Sequence, residues 1–277
     1  MSCSPLARVI VGAADAPTLV LLHGITGSAV SQAEAISHWA GRGYRVVALD
    51  ARGHGLSPRW DPDGLERAGE VLVEDALGAV EELDTEARGR AALGLRHAAP
   101  PVLLGHSMGA ATAMVAAIRR PELIAGVVLA DPARFGTRRP EELLARGAAR
   151  ARALAREVAD PVAAVARALS DPEVPRMEAV AGVWASQWVD PALLATGVVA
   201  PEIPWEAAMA ALEVPALLVT GDRPGAARVG PEGLTILAGV NPRVDTALVP
   251  GAAHDVRRSR PEGFYAAVDP WLSRVLR

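Results

Sequence analysis

A serine between two glycines is the first feature of this sequence that could carry chemistry. Ser107 lies in GHSMG at 105–109, which follows a short apolar run at 102–104 and precedes a run rich in small residues at 110–120. A strand that turns sharply into a helix exposes such a hydroxyl and leaves no room for side chains at the two glycine positions. The pattern predicts that Ser107 is a nucleophile.

His254 is the residue that we expect to activate this serine. A serine hydroxyl is a weak nucleophile at its own pKa and needs an adjacent base. His254 ends the sequence PGAAH, just after an apolar run at 244–249. A histidine in a glycine-containing loop at a strand end can reach over a sheet toward Ser107, and the other histidines lack that placement.

Two backbone amides are candidates for stabilising a developing negative charge. The amide of Met108 would lie at the start of the helix that follows Ser107. The loop ITGS at 25–28 is small and flexible, and the amide of Ile25 would complete an oxyanion hole with that of Met108. We interpret His23, just before this loop, as structural.

Short apolar runs alternating with helical stretches must position these residues. The runs predict strands at 18–22, 44–49, 102–104, 126–130, 216–220 and 244–249, with helices at 31–40, 65–83, 110–120, 230–239 and 261–276. Nearly continuous apolarity in such short runs is typical of strands buried on both faces. The order predicts a doubly wound, mostly parallel α/β sheet, in which ligands bind beyond the carboxyl ends of the strands.

The alternation stops in the third quarter of the chain, where the sequence is rich in Ala and Arg and punctuated by prolines. We predict a core domain formed by residues 1–132 and 210–277, and a helical cap, or lid, at 133–209 over the strand ends. Extra helices packed on the core are the alternative.

Several motifs, taken in order, resemble the α/β-hydrolase superfamily. They are a strand followed by His23-Gly24, DARGHGLS at 50–57, GHSMG, and a late Gly-x-x-His ending at His254. The resemblance covers residues 18–132 and 214–276 and leaves the insertion unmatched. It implies the branch of esterases, lactonases and C–C bond hydrolases, with no metal and no organic cofactor. It also implies that the 50–57 segment shapes the loop beside the oxyanion hole.

The acid that would orient His254 has two candidates. The resemblance implies an aspartate in Gly-x-x-Asp after the strand that ends at Thr220, but the sequence there reads GDRP at 221–224. Asp222 is close but out of register. Asp131 ends the preceding strand, where haloalkane dehalogenases and fungal zearalenone lactonases carry their acid. We favour Asp131 and keep Asp222 as the alternative, with an unrecognised acid or none left open.

Aromatic residues of the insertion could shape a substrate pocket. Trp184 and Trp188 are four residues apart, so they would share one helical face. With Phe135, and with Met177 and Trp205 as further candidates, they are predicted to line an apolar lid. Such a lid would favour a small hydrophobic substrate. Tryptophans that merely pack the lid onto the core are the alternative.

Composition excludes several other classes of function. A net charge of -4, with no block of like charge, argues against nucleic acid or an anionic membrane as the main partner. All basic residues are arginine, so no mechanism can use a lysine. Cys3 is the only cysteine, which excludes an intramolecular disulfide. With no signal-like start and no long apolar run, we expect a cytoplasmic protein, and a homo-oligomer stays possible.

These residues together predict hydrolysis of a carboxylic ester or lactone through an acyl-enzyme. Serine rather than aspartate at position 107 argues against haloalkane dehalogenase or epoxide hydrolase chemistry. The rival hypotheses are C–C bond cleavage with the same residues and a non-catalytic ligand-binding protein on the same scaffold.

Overall fold

The sheet of the protein has seven strands and is parallel except at one edge. The computed structural model describes residues 5–133 and 139–276. The strands are β1 Arg8–Val11, β2 Thr18–Leu22, β3 Arg45–Leu49, β4 Val102–His106, β5 Gly126–Ala130, β6 Ala216–Gly221 and β7 Asp245–Val249. Their order is β1-β3-β2-β4-β5-β6-β7, and only β1 runs antiparallel to its neighbour. The predicted doubly wound α/β class is confirmed.

Helices connect the strands and cover both faces of the sheet. They are α1 Ala33–Ala40, α2 Pro62–Glu66, α3 Ala68–Ala92, α4 Met108–Arg119, α5 Pro140–Val158, α6 Pro161–Ser170, α7 Arg176–Gln187, α8 Pro191–Thr196, α9 Trp205–Ala210, α10 Gly230–Val240, α11 Val256–Ser259 and α12 Pro261–Val275. A single turn of 3-10 helix, Val30–Gln32, precedes α1.

The sheet separates two apolar cores because successive side chains of a strand point to opposite faces. Val20 and Leu22 pack with α3, α4, α9 and α10 on one side. Leu19 and Leu21 pack with α1 and α12 on the other. Each residue of β2 is buried, which explains the unbroken run of apolar side chains at 19–22.

The one strand that the sequence reading missed is β1. It pairs with β3 at the edge of the sheet, with Arg8 opposite Leu49. Its outer residues are exposed, Ile10 by 47%. An exposed edge strand needs no continuous apolar pattern, so it gives little signal.

The stretch between β5 and β6 contains helices α5 to α9 and no strand among its described residues. Helix α9 packs through Trp205 and Met209 in the core that also contains Val20 and Leu22. The division into core and cap stays a prediction. In the described part of the chain, no helix is both long and apolar enough to cross a membrane.

Candidate active site

Ser107 lies on a strained turn between β4 and α4. Its φ is +52°, a left-handed value that is costly for a residue with a side chain. A Cβ at Gly105 would lie 2.3 Å from the carbonyl oxygen of Gly109, and a Cβ at Gly109 would lie 2.2 Å from that of Leu22. The glycines therefore allow the strand, the turn and the helix to approach closely enough to hold the serine above the sheet.

His254 meets Ser107 across the carboxyl edge of the sheet. The Nε2 atom of His254 is 2.9 Å from the Oγ atom of Ser107. His254 lies in the turn between β7 and α11, where the sequence placed it. The ring of His106 lies beside that of His254, with the ring centroids 4.8 Å apart and the ring planes inclined by 50°. At this distance the imidazole can accept the serine proton.

Asp131 is the carboxylate within reach of the histidine. Its Oδ2 atom lies 2.6 Å from Nδ1 of His254. The residue follows β5, is completely buried and has a φ of +40°. The favoured candidate of the sequence reading is therefore the one beside the ring.

Three further donors surround the Asp131 carboxylate. The hydroxyl of Thr220 and the amide of Val229 donate to Oδ1 at 2.6 and 3.0 Å, and the amide of Arg228 donates to Oδ2 at 2.8 Å. Burial alone would raise the pKa of Asp131. The hydrogen bonds from His254, Thr220 and the two amides outweigh it and hold the pKa below its ordinary value. The side chain therefore stays an anion that can fix the tautomer of His254.

Asp222 contacts the backbone of the loop that carries His254. Its Oδ1 atom accepts a hydrogen bond from the amide of Gly251 at 2.6 Å. Gly251 lies in the loop that carries His254, so Asp222 shapes this loop from outside the reacting group. The alternative assignment of the acid to Asp222 does not agree with this geometry.

Of the two residues predicted to supply oxyanion amides, Met108 follows Ser107 in the chain and Ile25 lines the same cavity as Ser107. Met108 is the first residue of α4, where backbone amides have no acceptor within the helix. Ile25 lies in the loop after β2, and Nε2 of His54 is 2.6 Å from its carbonyl oxygen. Within the described ranges, neither the Ile25 nor the Met108 amide is hydrogen-bonded to the chain. Both amides are thus available to a ligand oxygen.

Buried neutral histidines support this region. His23 donates through Nδ1 to the carbonyl of Gly24 at 2.7 Å and accepts at Nε2 from the amide of Ala51 at 3.0 Å. Burial and the neighbouring His54 lower the pKa of His23 to about 3. Burial likewise lowers the pKa values of His54 and His106. These rings act as fixed hydrogen-bonding groups, in agreement with the structural role predicted for His23.

A cavity of about 340 Å³ opens beside Ser107. Helix α7 forms one wall through Glu178, Ala179, Gly182, Val183 and Ser186. The remaining lining combines small apolar residues, with Ala35, Ala168 and Val174 among them, with polar and charged ones such as Glu157 and Arg257. The volume is at the lower end of the range for small-molecule sites.

The predicted aromatic lid is not part of this cavity. Of the described residues that line it, none is Trp184 or Trp188. The two rings lie 5.6 Å apart, and Trp188 packs against the Arg59 guanidinium at the surface. The reason is the rotation of α7, which turns Glu178 and its i+4 neighbours toward the cavity. The prediction for Phe135 lies outside the described residues.

The other two aromatic-lid candidates also lie elsewhere. Met177 is 55% exposed, whereas Trp205 is buried in the core that α3 and α4 form on one face of the sheet.

A buried carboxylate joins α7 to the core, and the sequence reading missed it. Glu178 is fully buried and accepts hydrogen bonds from Arg257 at 2.9 Å, from Arg258 at 2.8 Å and from the amide of Glu34 at 3.0 Å. A charge on an Ala-rich helix is usually read as solvated, so its burial could not be foreseen without the docked partner.

Solved structures of several hydrolases share this fold. The E-2-(acetamidomethylene)succinate hydrolase superposes with a TM-score of 0.70 at 22% identity, covering 97% of this chain and 95% of that one. The enol-lactonase from Burkholderia xenovorans LB400 gives a TM-score of 0.67 at 22% identity, with 97% and 96% covered. At such identities the likeness shows the fold alone.

Curated relatives match part of the chain. The sn-1-specific diacylglycerol lipase of Mus musculus is 37% identical over 133 residues, which are 47% of this chain and 37% of the lipase. Epoxide hydrolase B of Mycobacterium tuberculosis is 36% identical over 112 residues, which are 40% of this chain and 28% of that enzyme. The matched segments thus span 37% of the length of the lipase and 28% of the length of the epoxide hydrolase.

The family model described as serine aminopeptidase, S33, matches residues 14–257. This range contains the Ser107 turn, Asp131 and His254. The chain therefore belongs to the serine aminopeptidase family of α/β-hydrolases.

Proposed function

We propose that the protein is a serine hydrolase that cleaves a carboxylic ester or lactone of a small substrate through an acyl-enzyme. The observation that carries this proposal is the continuous contact from Ser107 through His254 to Asp131, at 2.9 and 2.6 Å. A serine, a histidine and a buried carboxylate in this order are the groups that nucleophilic acyl transfer requires.

The first half of the proposed reaction forms the acyl-enzyme. His254 Nε2 takes the Ser107 proton as Oγ attacks the substrate carbonyl. The amides of Ile25 and Met108 receive the oxyanion, and an interaction of this type contributes about 3 kcal/mol to the transition state. The tetrahedral intermediate collapses when the imidazolium gives its proton to the leaving alcohol.

The second half uses the same groups on water. His254 removes a proton from water as it attacks the acyl carbon, and the proton then returns to Ser107 Oγ. Asp131 keeps the Nδ1 proton on the imidazole throughout and stabilises the imidazolium that forms in each half.

Size and lining guide the substrate class. A cavity of about 340 Å³ suits a small acyl group, and Ala35, Ala168 and Val174 offer an apolar surface to its hydrocarbon part. The matched relative that is named as a diacylglycerol lipase supports carboxylic ester bonds as the first ones to test.

The test is a panel of three bond types given to the purified protein. It contains 4-nitrophenyl esters of short acids, simple lactones and a dienone of the kind cleaved by C–C hydrolases. We expect hydrolysis of esters or lactones, with a fall in kcat of at least about 10³-fold in Ser107→Ala. The control is Ser170→Ala, because Ser170 is exposed at the end of α6.

Two results would contradict the proposal. Full activity of Ser107→Ala would exclude the serine mechanism. Turnover of the dienone alone would replace ester hydrolysis with C–C bond cleavage.

A further inference from the structure

The backbone of His254 is held by the side chain of a second histidine. The Nε2 atom of His106 lies 3.1 Å from the backbone carbonyl oxygen of His254. Because a carbonyl oxygen only accepts hydrogen bonds, Nε2 of His106 carries the proton and donates it. Within residues 5–133 and 139–276, no other group is hydrogen-bonded to the carbonyl or the amide of His254. His106 is therefore the direct support of the main chain at the proposed base.

The ring of His106 is itself fixed on a rigid element. His106 is the last residue of β4 and pairs with Ala130 of β5, inside the sheet. A Cβ at Gly24 would lie 2.9 Å from Nδ1 of His106, so the absence of a side chain at Gly24 lets that loop pack against the ring. Side chains on strands are held more precisely than those on loops. His106 can thus serve as a fixed point for the loop that carries His254.

Other contacts with this loop reach residues before His254. The amide of Gly251 donates to Asp222 at 2.6 Å, and the amide of Ala253 donates to Oγ of Ser259 at 2.9 Å. These bonds shape the approach of the loop but leave the last peptide group free to rotate. The hydrogen bond from His106 fixes that peptide group, and with it the position from which the imidazole extends.

His106 provides this support without adding a charge beside the base. Burial lowers the pKa of His106, so the ring stays neutral, with its proton on Nε2. A protonated ring, with its centroid 4.8 Å from that of His254, would oppose the imidazolium that His254 becomes during the reaction.

From these contacts we propose that His106 is a positioning residue, which holds His254 in reach of Ser107 by donating a hydrogen bond to the His254 backbone carbonyl. The inference rests on the proposed function, since it concerns proton transfer between His254 and Ser107. A displacement of about 1 Å in a reacting group can lower the rate by about 10²-fold. The residue that precedes the nucleophile therefore also sets the position of its base.

The test compares His106→Gln with His106→Met. Glutamine and methionine side chains have the same length, but only glutamine has an N–H donor at its end. We expect His106→Met to lower kcat on the best ester of the panel by about 10- to 10²-fold, with KM changed by less than about threefold. His106→Gln restores a donor, so its kcat should lie within about threefold of the wild-type value.

The rate of inactivation by a fluorophosphonate is the second measurement. It reports the activation of Ser107 whatever ester is chosen, and we expect the same order of variants. The matched control is His97→Met, since His97 is exposed and should keep the wild-type rates. Urea unfolding identifies the variants that fold. If His106→Met does not fold, His106→Asn replaces it with the same expected loss, because the asparagine side chain is too short to reach the carbonyl.

Wild-type kcat and inactivation rate in His106→Met would overturn the role of His106. Equal losses in His106→Met and His106→Gln would also overturn it, because the donor would then make no difference. If Ser107→Ala is inactive in the same experiment, the proposed function survives either result. A wild-type protein that hydrolyses no ester and is not modified at Ser107 would contradict both proposals.

Discussion

Asp131 Oδ2 lies 2.6 Å from Nδ1 of His254, although 123 residues separate them in the chain. The two residues follow β5 and β7, which flank β6 in a parallel sheet. Their carboxyl ends therefore meet at one edge, which is where an α/β sheet binds its ligands. Thr220, at the end of the intervening β6, completes the contact by donating to Asp131.

This relationship predicts unequal effects of two aspartate substitutions. Asp131→Asn removes the anion that fixes the tautomer of His254, so we expect kcat to fall on the order of 10³- to 10⁴-fold. Asp222→Asn alters only the contact with the Gly251 amide and should change kcat by less than about tenfold. Steady-state kinetics on the best ester of the panel measures both. A greater loss in Asp222→Asn than in Asp131→Asn would contradict the assignment.

The glycines around Ser107 predict a steric effect on stability. Gly105→Ala would bring a Cβ to 2.3 Å from a backbone oxygen, so we expect the free energy of unfolding to fall by about 3 kcal/mol or the protein not to fold. Gly89→Ala is the control, because its Cβ in α3 would meet nothing within 4 Å. That variant should be stabilised by up to about 1 kcal/mol. Urea unfolding distinguishes them, and equal stability of the two variants would contradict the close approach.

Buried histidines predict that the protein loses stability in weak acid. Burial lowers the pKa of His23 from its ordinary value of 6.5 to about 3 in the folded protein. Between these two values the unfolded chain binds a proton at His23 that the folded chain does not bind. The free energy of unfolding therefore decreases as the pH falls from about 6.5 toward 3, and the contribution of His23 is fully present above this window. His23 contributes a slope of about 1.4 kcal/mol per pH unit within this window.

Urea unfolding between pH 7.5 and pH 5 measures this slope. His23→Gln should reduce it by about 1.4 kcal/mol per pH unit, whereas His97→Gln, at an exposed position, should leave it unchanged. An unaltered slope in His23→Gln would show that this ring is not held neutral.

The Glu178 contacts predict that α7 depends on one buried carboxylate. Glu178→Ala leaves Arg257 and Arg258 without this partner, and breaking a buried ion pair costs about 3–5 kcal/mol. We expect a comparable loss in the free energy of unfolding and faster proteolysis within α5 to α7. Glu141→Ala, at a side chain 70% exposed, is the control. Unchanged proteolysis in Glu178→Ala would argue against this anchoring role.

The fold and the main reacting residues could be predicted because local sequence determines them. The buried strands β2, β4 and β5 give nearly continuous apolar runs, and the crowding at Gly105 and Gly109 leaves no room for a side chain. The sequence does not decide between Asp131 and Asp222 as the acid, because both residues follow strands at the same edge of the sheet. Only the distances to the His254 ring separate them.

The wall of the cavity could not be predicted from the sequence. Trp184 and Glu178 lie on the same helix. Which of the two side chains points toward the cavity depends on how α7 packs against α1 and α11, and the local sequence pattern does not determine it. The arginine partners of Glu178 lie about 80 residues away in the chain.

Covalent labelling shows whether Ser107 is a nucleophile that His254 activates. The protein is treated with a fluorophosphonate, and the modified peptide is located by mass spectrometry in the wild-type protein, His254→Gln and Ser170→Ala. We expect stoichiometric modification of Ser107 in the wild-type and Ser170→Ala proteins, and a rate lower by at least about 10³-fold in His254→Gln. Modification at another residue, or an equal rate in His254→Gln, would contradict this expectation.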